Sequence, residues 1–130
     1  MVGRTIYPGV ARGRVLLIKG RFSFFGGVEP ETGIITDEGS GQKGVCVRDR
    51  IMVFEGGAGS TVGSYVIYGL KKSGNAPAAI INAVAEPIIA TGAILSSIPM
   101  MDSVDISQFI DGEEVIVDCT RGTITRLDKG

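Results

Sequence analysis

Histidine and tryptophan are absent from these 130 residues, and cysteine occurs only twice. Without histidine there is no phosphohistidine transfer and no imidazole general base. A zinc site wants about four Cys, His or carboxylate ligands, and an iron–sulfur cluster about four thiolates. Cys46 and Cys119 are far apart and form no CxxC pair, so neither group is expected on this chain alone. The two thiols read as buried and reduced rather than as a disulfide. Acid–base chemistry therefore falls to Ser, Thr, Tyr, Lys, a carboxylate or a partner's groups.

An excess of charge of one sign is also missing. There are 13 basic and 14 acidic residues, for a net charge of -1. No long run of either sign supplies the electrostatic footprint of a nucleic-acid binder, so nucleic acid is not an expected partner. The least polar stretch, Ala76 to Pro99, is broken by Pro77, Glu86 and Pro87 and is too short to span a bilayer. No basic start followed by an apolar run marks a leader. The expectation is a cytoplasmic protein away from membranes. With 44% hydrophobic residues the chain suits a single domain over 1–130 with one real core.

What the sequence has in quantity is glycine, 20 residues scattered among strand-like runs. This is the pattern of short strands joined by tight turns. Arg14 to Lys19, Val45 to Val47, Ile51 to Phe54 and Ala78 to Asn82 are strand candidates. Val62, Tyr65, Val66 and Leu70 recur at helical spacing, which predicts a helix from Ser60 to Lys72 stopped at Gly74. Pro87 to Ser96 predicts a second helix with proline in its first turn, ended by Pro99. The tail alternates, turns at Arg121 and Gly122, and alternates again, as a hairpin does. The expected fold is α/β and β-rich, a closed or nearly closed barrel with a few helices outside it.

One segment carries chemistry. In "EGGAGSTVGSYVIY", Gly56, Gly57 and Gly59 follow a strand, and Ser60 and Thr61 follow the glycines just before a helix. Such a loop aims backbone N–H groups into one concavity beside a helix N-terminus, which favours an anion. The anion can be a phosphate, a carboxylate or the deprotonated oxygen of Ser60. Equally, Ser60 or Thr61 can simply cap the helix. No Gly-Lys-Ser/Thr follows, so this is not a Walker A loop. A dinucleotide fingerprint through Gly57, Gly59 and Gly63, with Glu86 further on, is off by one in spacing and ranks below an anion-cradling loop.

Three blocks, "FFGGVEPETGIITD" (Phe24 to Asp37), "GAGSTVGSYVIYGLKKSGNAPAAII" (Gly57 to Ile81) and "AEPIIATGAILSSIP" (Ala85 to Pro99), resemble the small-subunit family of archaeal phosphomevalonate dehydratases. That family lies within the aconitase X group, whose small chain is similar to the swivelling domain of aconitase. The resemblance implies a swivelling-type β/β/α barrel-like fold and a heterodimer with a large dehydratase subunit. It implies a hydro-lyase that dehydrates (R)-5-phosphomevalonate, a small phosphorylated hydroxy acid, to trans-anhydromevalonate 5-phosphate in isoprenoid precursor synthesis. It also implies a 4Fe-4S cluster held by the large subunit, with Ser60 as proton acceptor and Gly59 and Thr61 beside it as substrate-binding or oxyanion-stabilising groups. A dehydratase subunit for another hydroxy acid, such as a hydroxyproline, and a non-catalytic anion-binding module are the alternatives.

Ala58 stands where members of the resembled family commonly have Lys or Arg, and Val62 where aconitase itself has an arginine. Arg48, Arg50 or groups of the large subunit are the candidate replacements. Gly26 and Gly27 read either as a close backbone approach or as an ordinary tight turn. Phe24, Phe25, Met100 and Met101 are candidates for apolar surface covered by the partner, with core positions as the alternative. The closing hairpin also looks like that of swivelling phosphohistidine domains, a likeness of scaffold only, since no histidine is present.

Overall fold

A computed structural model describes residues 1–127; the last three positions of the expected 1–130 domain lie outside the described residues. Seven strands form one mixed sheet in the order β1-β5-β4-β3-β2-β6-β7. They are β1 (Arg4–Tyr7), β2 (Val10–Leu17), β3 (Ile51–Phe54), β4 (Ala79–Asn82), β5 (Met100–Asp102), β6 (Glu114–Asp118) and β7 (Thr123–Arg126). Strands β2, β3, β4 and β5 run parallel, whereas β1, β6 and β7 pair antiparallel at the flanks.

The two edges meet. Val2 pairs with Thr123, Gly3 N–H donates to the Gly122 carbonyl at 2.8 Å, and Ile124 N–H donates to the Met1 carbonyl at 2.8 Å. The sheet therefore curls into the expected barrel-like form and leaves little exposed edge.

Alternation along the central strands sorts their side chains into two cores. Ile51 and Val53 of β3 join Val15, Ala79, Ile81, Val115, Val117 and Ile124 inside the curl. Met52 and Phe54 point the other way, where Leu16, Ile80, Ile67, Leu70 and Ile89 pack. Every residue of β3 and β4 is buried, as parallel strands covered on both faces should be.

The outer cover is two helices packed on each other, α2 (Gly63–Lys72) and α3 (Pro87–Ser96). A short helical turn, α1 (Phe24–Gly27), is broken by non-helical angles at Phe25 and Gly26. Phe22, Phe24 and Phe54 meet edge-on with ring centroids 5.1 to 6.1 Å apart, fixing α1 to the end of β3.

Several expectations need correcting. The first long strand covers Val10–Leu17 rather than Arg14 to Lys19, and β1 and β5 are additional. Val45 to Val47 is not a strand: Gly44 and Asp49 turn the chain with positive φ on either side, and only Cys46 bridges, to Ile34. Both cysteines are free, but only Cys119 is buried; Cys46 is half-buried. Burial, helped by the charge of Asp118, pushes the Cys119 thiol up to about 12, so it packs as an inert apolar group.

One ion pair ties the sheet to the loop before α3. Asp102, 1% exposed, accepts two bonds from Arg4 at 2.8 and 2.9 Å and one from the Ala85 N–H at 2.9 Å. Burial alone raises its carboxyl pKa, but the bonds from Arg4, Ala85 and Ser103 outweigh it, and the net shift is downward. A folded-state pKa below the unfolded value of about 3.9 gives stability that is present above that value and lost as pH falls through the folded one. Acid titration of unfolding free energy should therefore show a decline below about pH 4 that Asp102→Asn reduces; an unchanged acid limb would contradict this role for Asp102.

Candidate functional site

The glycine loop leaves the C-terminal end of β3 and reaches α2 across the joint between α1 and the start of α3. Phe22 bridges Gly57 in parallel: Phe22 N–H donates to the Gly56 carbonyl at 3.0 Å and Ala58 N–H to the Phe22 carbonyl at 3.1 Å. Three glycines are required by what lies against them: a Cβ at Gly56 would come within 2.7 Å of the Val84 carbonyl oxygen. A Cβ at Gly57 would overlap Glu86 Oε1 and come within 2.5 Å of Ile89 Cγ1. Gly59 has φ +85, and a Cβ there would overlap the Ser23 hydroxyl.

Beyond Gly59 the chain stays open. Ala58, Gly59, Ser60, Thr61 and Val62 are all exposed. Ser60 Oγ accepts the Val62 N–H at 3.1 Å, and the Ser60 carbonyl accepts Gly63 N–H at 2.9 Å. Ser64 Oγ donates back to the Thr61 carbonyl at 3.1 Å. These short-range bonds make a tight turn, so α2 begins at Gly63 and not at Ser60. The N–H groups of Gly59, Ser60 and Thr61 donate to no acceptor among the described residues, leaving three donors for water or an anion beside the Ser60 hydroxyl.

The structure thus brings Gly59, Ser60 and Thr61 together on one exposed turn, with Ser60 already accepting one amide. That bond suits a capped turn, and the same geometry also stabilises negative charge on Oγ. Glu86 is committed elsewhere: its Oε1 accepts Ile89 N–H at 2.8 Å as the cap of α3, the same oxygen that Gly57 makes room for. Gly26 turns with φ +85, and the close neighbour of Gly27 is the Phe22 ring rather than open space.

Arg48 and Arg50 are not at the loop. Arg50 donates to the Arg14 and Val15 carbonyls and Arg48 to Asn75 Oδ1, all beside the start of β3. The four residues of β3 put about 13 Å between that end and the loop. Two residues missed in the sequence lie against it instead. Ser23 sits beneath Gly59, and Arg21 Nη1 donates to the Gly57 carbonyl at 3.2 Å. Both come from more than thirty positions upstream, beyond the reach of local spacing.

Among the four apolar candidates, Phe24, Met100 and Met101 are core and only Phe25 is exposed, at 54%. Val62, Tyr65 and Tyr68 are exposed as well, and Tyr65 and Tyr68 with Leu95 line a shallow groove of about 210 Å³. No group of three or more His, Cys, Asp or Glu that could hold a metal occurs among the described residues. The residues present do not fit an iron–sulfur cluster. None of the helices among the described residues is long and apolar enough to cross a membrane.

The family model for the aconitase X swivel domain matches residues 1–126, and the chain belongs to that family. Among individual relatives, it is 50% identical over 129 residues to the phosphomevalonate dehydratase small subunit of Methanococcoides burtonii, covering 97% of this chain and 94% of that one. It is 52% identical over 128 residues to the protein of the same name from Thermococcus kodakarensis, covering 98% and 96%.

The crystal structure of Thermococcus kodakaraensis aconitase X in its holo-form superposes with a TM-score of 0.95 at 51% identity, covering 98% of this chain and 97% of that one. A 3-isopropylmalate dehydratase from Methanocaldococcus jannaschii shares the fold at 16% identity and a TM-score of 0.62, covering 94% and 84%.

Close packing and left-handed backbone can be separated by substitution. Gly41 also has positive φ, +77, but faces open space. Gly41→Ala should cost about 1–2 kcal/mol from backbone strain alone, whereas Gly59→Ala adds the collision with Ser23 and should cost more. Ser23→Gly should recover part of the Gly59→Ala loss. Urea unfolding measures all three, and equal losses at positions 41 and 59 would contradict the contact.

Proposed function

We propose that this chain is the small subunit of a heterodimeric hydro-lyase that removes water from (R)-5-phosphomevalonate to give trans-anhydromevalonate 5-phosphate, a step in isoprenoid precursor synthesis. The observation that carries the reading is the end-to-end match to phosphomevalonate dehydratase small subunits on a chain whose matched fold leaves a serine turn open to a partner.

Ser60 is the proton acceptor in this reading. Starting from its deprotonated form, Oγ takes the proton from the carbon next to the substrate carboxylate, that C–H electron pair becomes the new double bond, and the neighbouring hydroxyl leaves with its C–O pair and takes up a proton from solvent to depart as water. A carbon acid of this kind is weak, and serine is an unusual base, so the oxyanion needs donors. The Val62 N–H already points at Oγ, and the free N–H groups of Gly59 and Thr61 lie on the same turn. Thr61 and Gly59 serve the substrate or the oxyanion through these amides.

The departing hydroxyl is handled outside this chain. A 4Fe-4S cluster on the large subunit would supply the Lewis acid for it. The large subunit would cover the exposed Phe25 and Val62 next to the turn, giving a water-poor site only in the assembled enzyme. We place this small domain and its partner in the cytoplasm.

The Val62 N–H bond favours a second reading, in which Ser60 is only a turn cap within an anion-binding module. Ser60→Ala separates the two in the two-subunit enzyme, reconstituted without oxygen. A base predicts intact assembly with turnover reduced by about a hundredfold or more. Full turnover with a stability loss of about 0.5–2 kcal/mol would assign the hydroxyl to the turn instead.

A further inference from the structure

We infer that Arg21 is the cation this chain contributes to the substrate's phosphate, and so a specificity-determining residue of the proposed site. The inference rests on the phosphomevalonate reading and deepens it. Three segments meet at the glycine loop, residues 21–27, 55–64 and 83–92, and Arg21 is the sole Lys or Arg in them. Its guanidinium touches the loop while its side chain stays exposed. Nη1 donates to the Gly57 carbonyl at 3.2 Å, and a Cβ placed on Gly56 would come within 3.4 Å of the same nitrogen.

The remaining donors of Arg21 are available. Its side chain is 55% exposed, and the nearest carboxylate, Glu55 Oε2, is 3.9 Å from Nε with its own side chain 52% exposed. So loose and solvated a pair holds little energy, and a phosphate that offers a two-point contact displaces it readily. Arg21 is also set on a rigid base. Phe22, the next residue, is fully buried in the edge-on aromatic cluster, and its backbone is bridged to Gly57.

Spacing agrees with the assignment. Arg21 holds Gly57, and Ser60 lies three residues further on, at most about 11 Å along an extended chain. A branched acid with a five-carbon main chain and a terminal phosphate has its reacting carbon next to one end and its phosphate at the other. It can therefore lie along the loop, with the reacting end at Ser60 and the phosphate at Arg21. The free amides of the turn and the single guanidinium then serve opposite ends of one molecule.

The test compares Arg21→Ala and Arg21→Lys with the unaltered protein in the assembled two-subunit enzyme. Arg21→Ala should raise KM for 5-phosphomevalonate about 10- to 100-fold, the loss of one charge-assisted contact, with kcat changed less than about threefold. Arg21→Lys should recover part of the loss. Inhibition by unphosphorylated mevalonate should be the same in all three, whereas inhibition by inorganic phosphate should weaken in Arg21→Ala.

An unchanged KM, or equal losses for phosphorylated and unphosphorylated ligands, would overturn the assignment and leave Arg21 as a brace for the Gly57 carbonyl. Indifference of the unaltered enzyme to the phosphate would overturn the substrate reading itself, and this inference with it.

Discussion

The candidate site depends on one steric constraint: between Phe54 and Gly63 the backbone has to run where side chains from two other segments already are. Glu86 caps α3 in the space a Cβ of residue 57 would fill, and the Ser23 hydroxyl fills the space beside residue 59. Only glycine permits both contacts, and Gly59 in addition turns the chain left-handed. The result is that the next residue, Ser60, is turned outward with its hydroxyl on an amide and not buried against the sheet.

That constraint is itself held by longer-range ties. Asp102 joins Arg4 of β1 to the amide of Ala85, one residue before the Glu86 cap. The phenylalanine cluster joins α1 to the end of β3 beneath the loop. Together they make the joint between three distant segments a rigid base for an exposed turn, as the proposed shared site would require. In the proposed reading, a serine turn of this kind would let a chain without histidine take part in proton abstraction, the base being made by position and donors.

Much of this was legible in the sequence, and the limits have physical causes. Strand β3 and helix α3 have the expected bounds because Pro87, Pro99 and the apolar run Ile51 to Phe54 mark them locally. Strands β1 and β5 are not visible because RTIY and MMD are short and offer neither a continuous apolar run nor a clear alternation. The start of α2 was misplaced because the apolar spacing continues back through Val62, while the turn made by Ser60 ends it. The serine turn was found because glycines, serine and threonine lie side by side. Arg21 and Ser23 reach the loop through a bridge between residues 22 and 57, and no spacing rule joins positions so far apart.

The central claim is that residues 59–61 form an open half of a site that a larger subunit completes. Amide hydrogen exchange over the peptide 57–64 tests it most directly, read in this chain alone and in the two-subunit enzyme. The account predicts fast exchange at Gly59, Ser60 and Thr61 in the chain alone and clear protection on assembly. Equally fast exchange in both states would show that the partner docks elsewhere, and would contradict it.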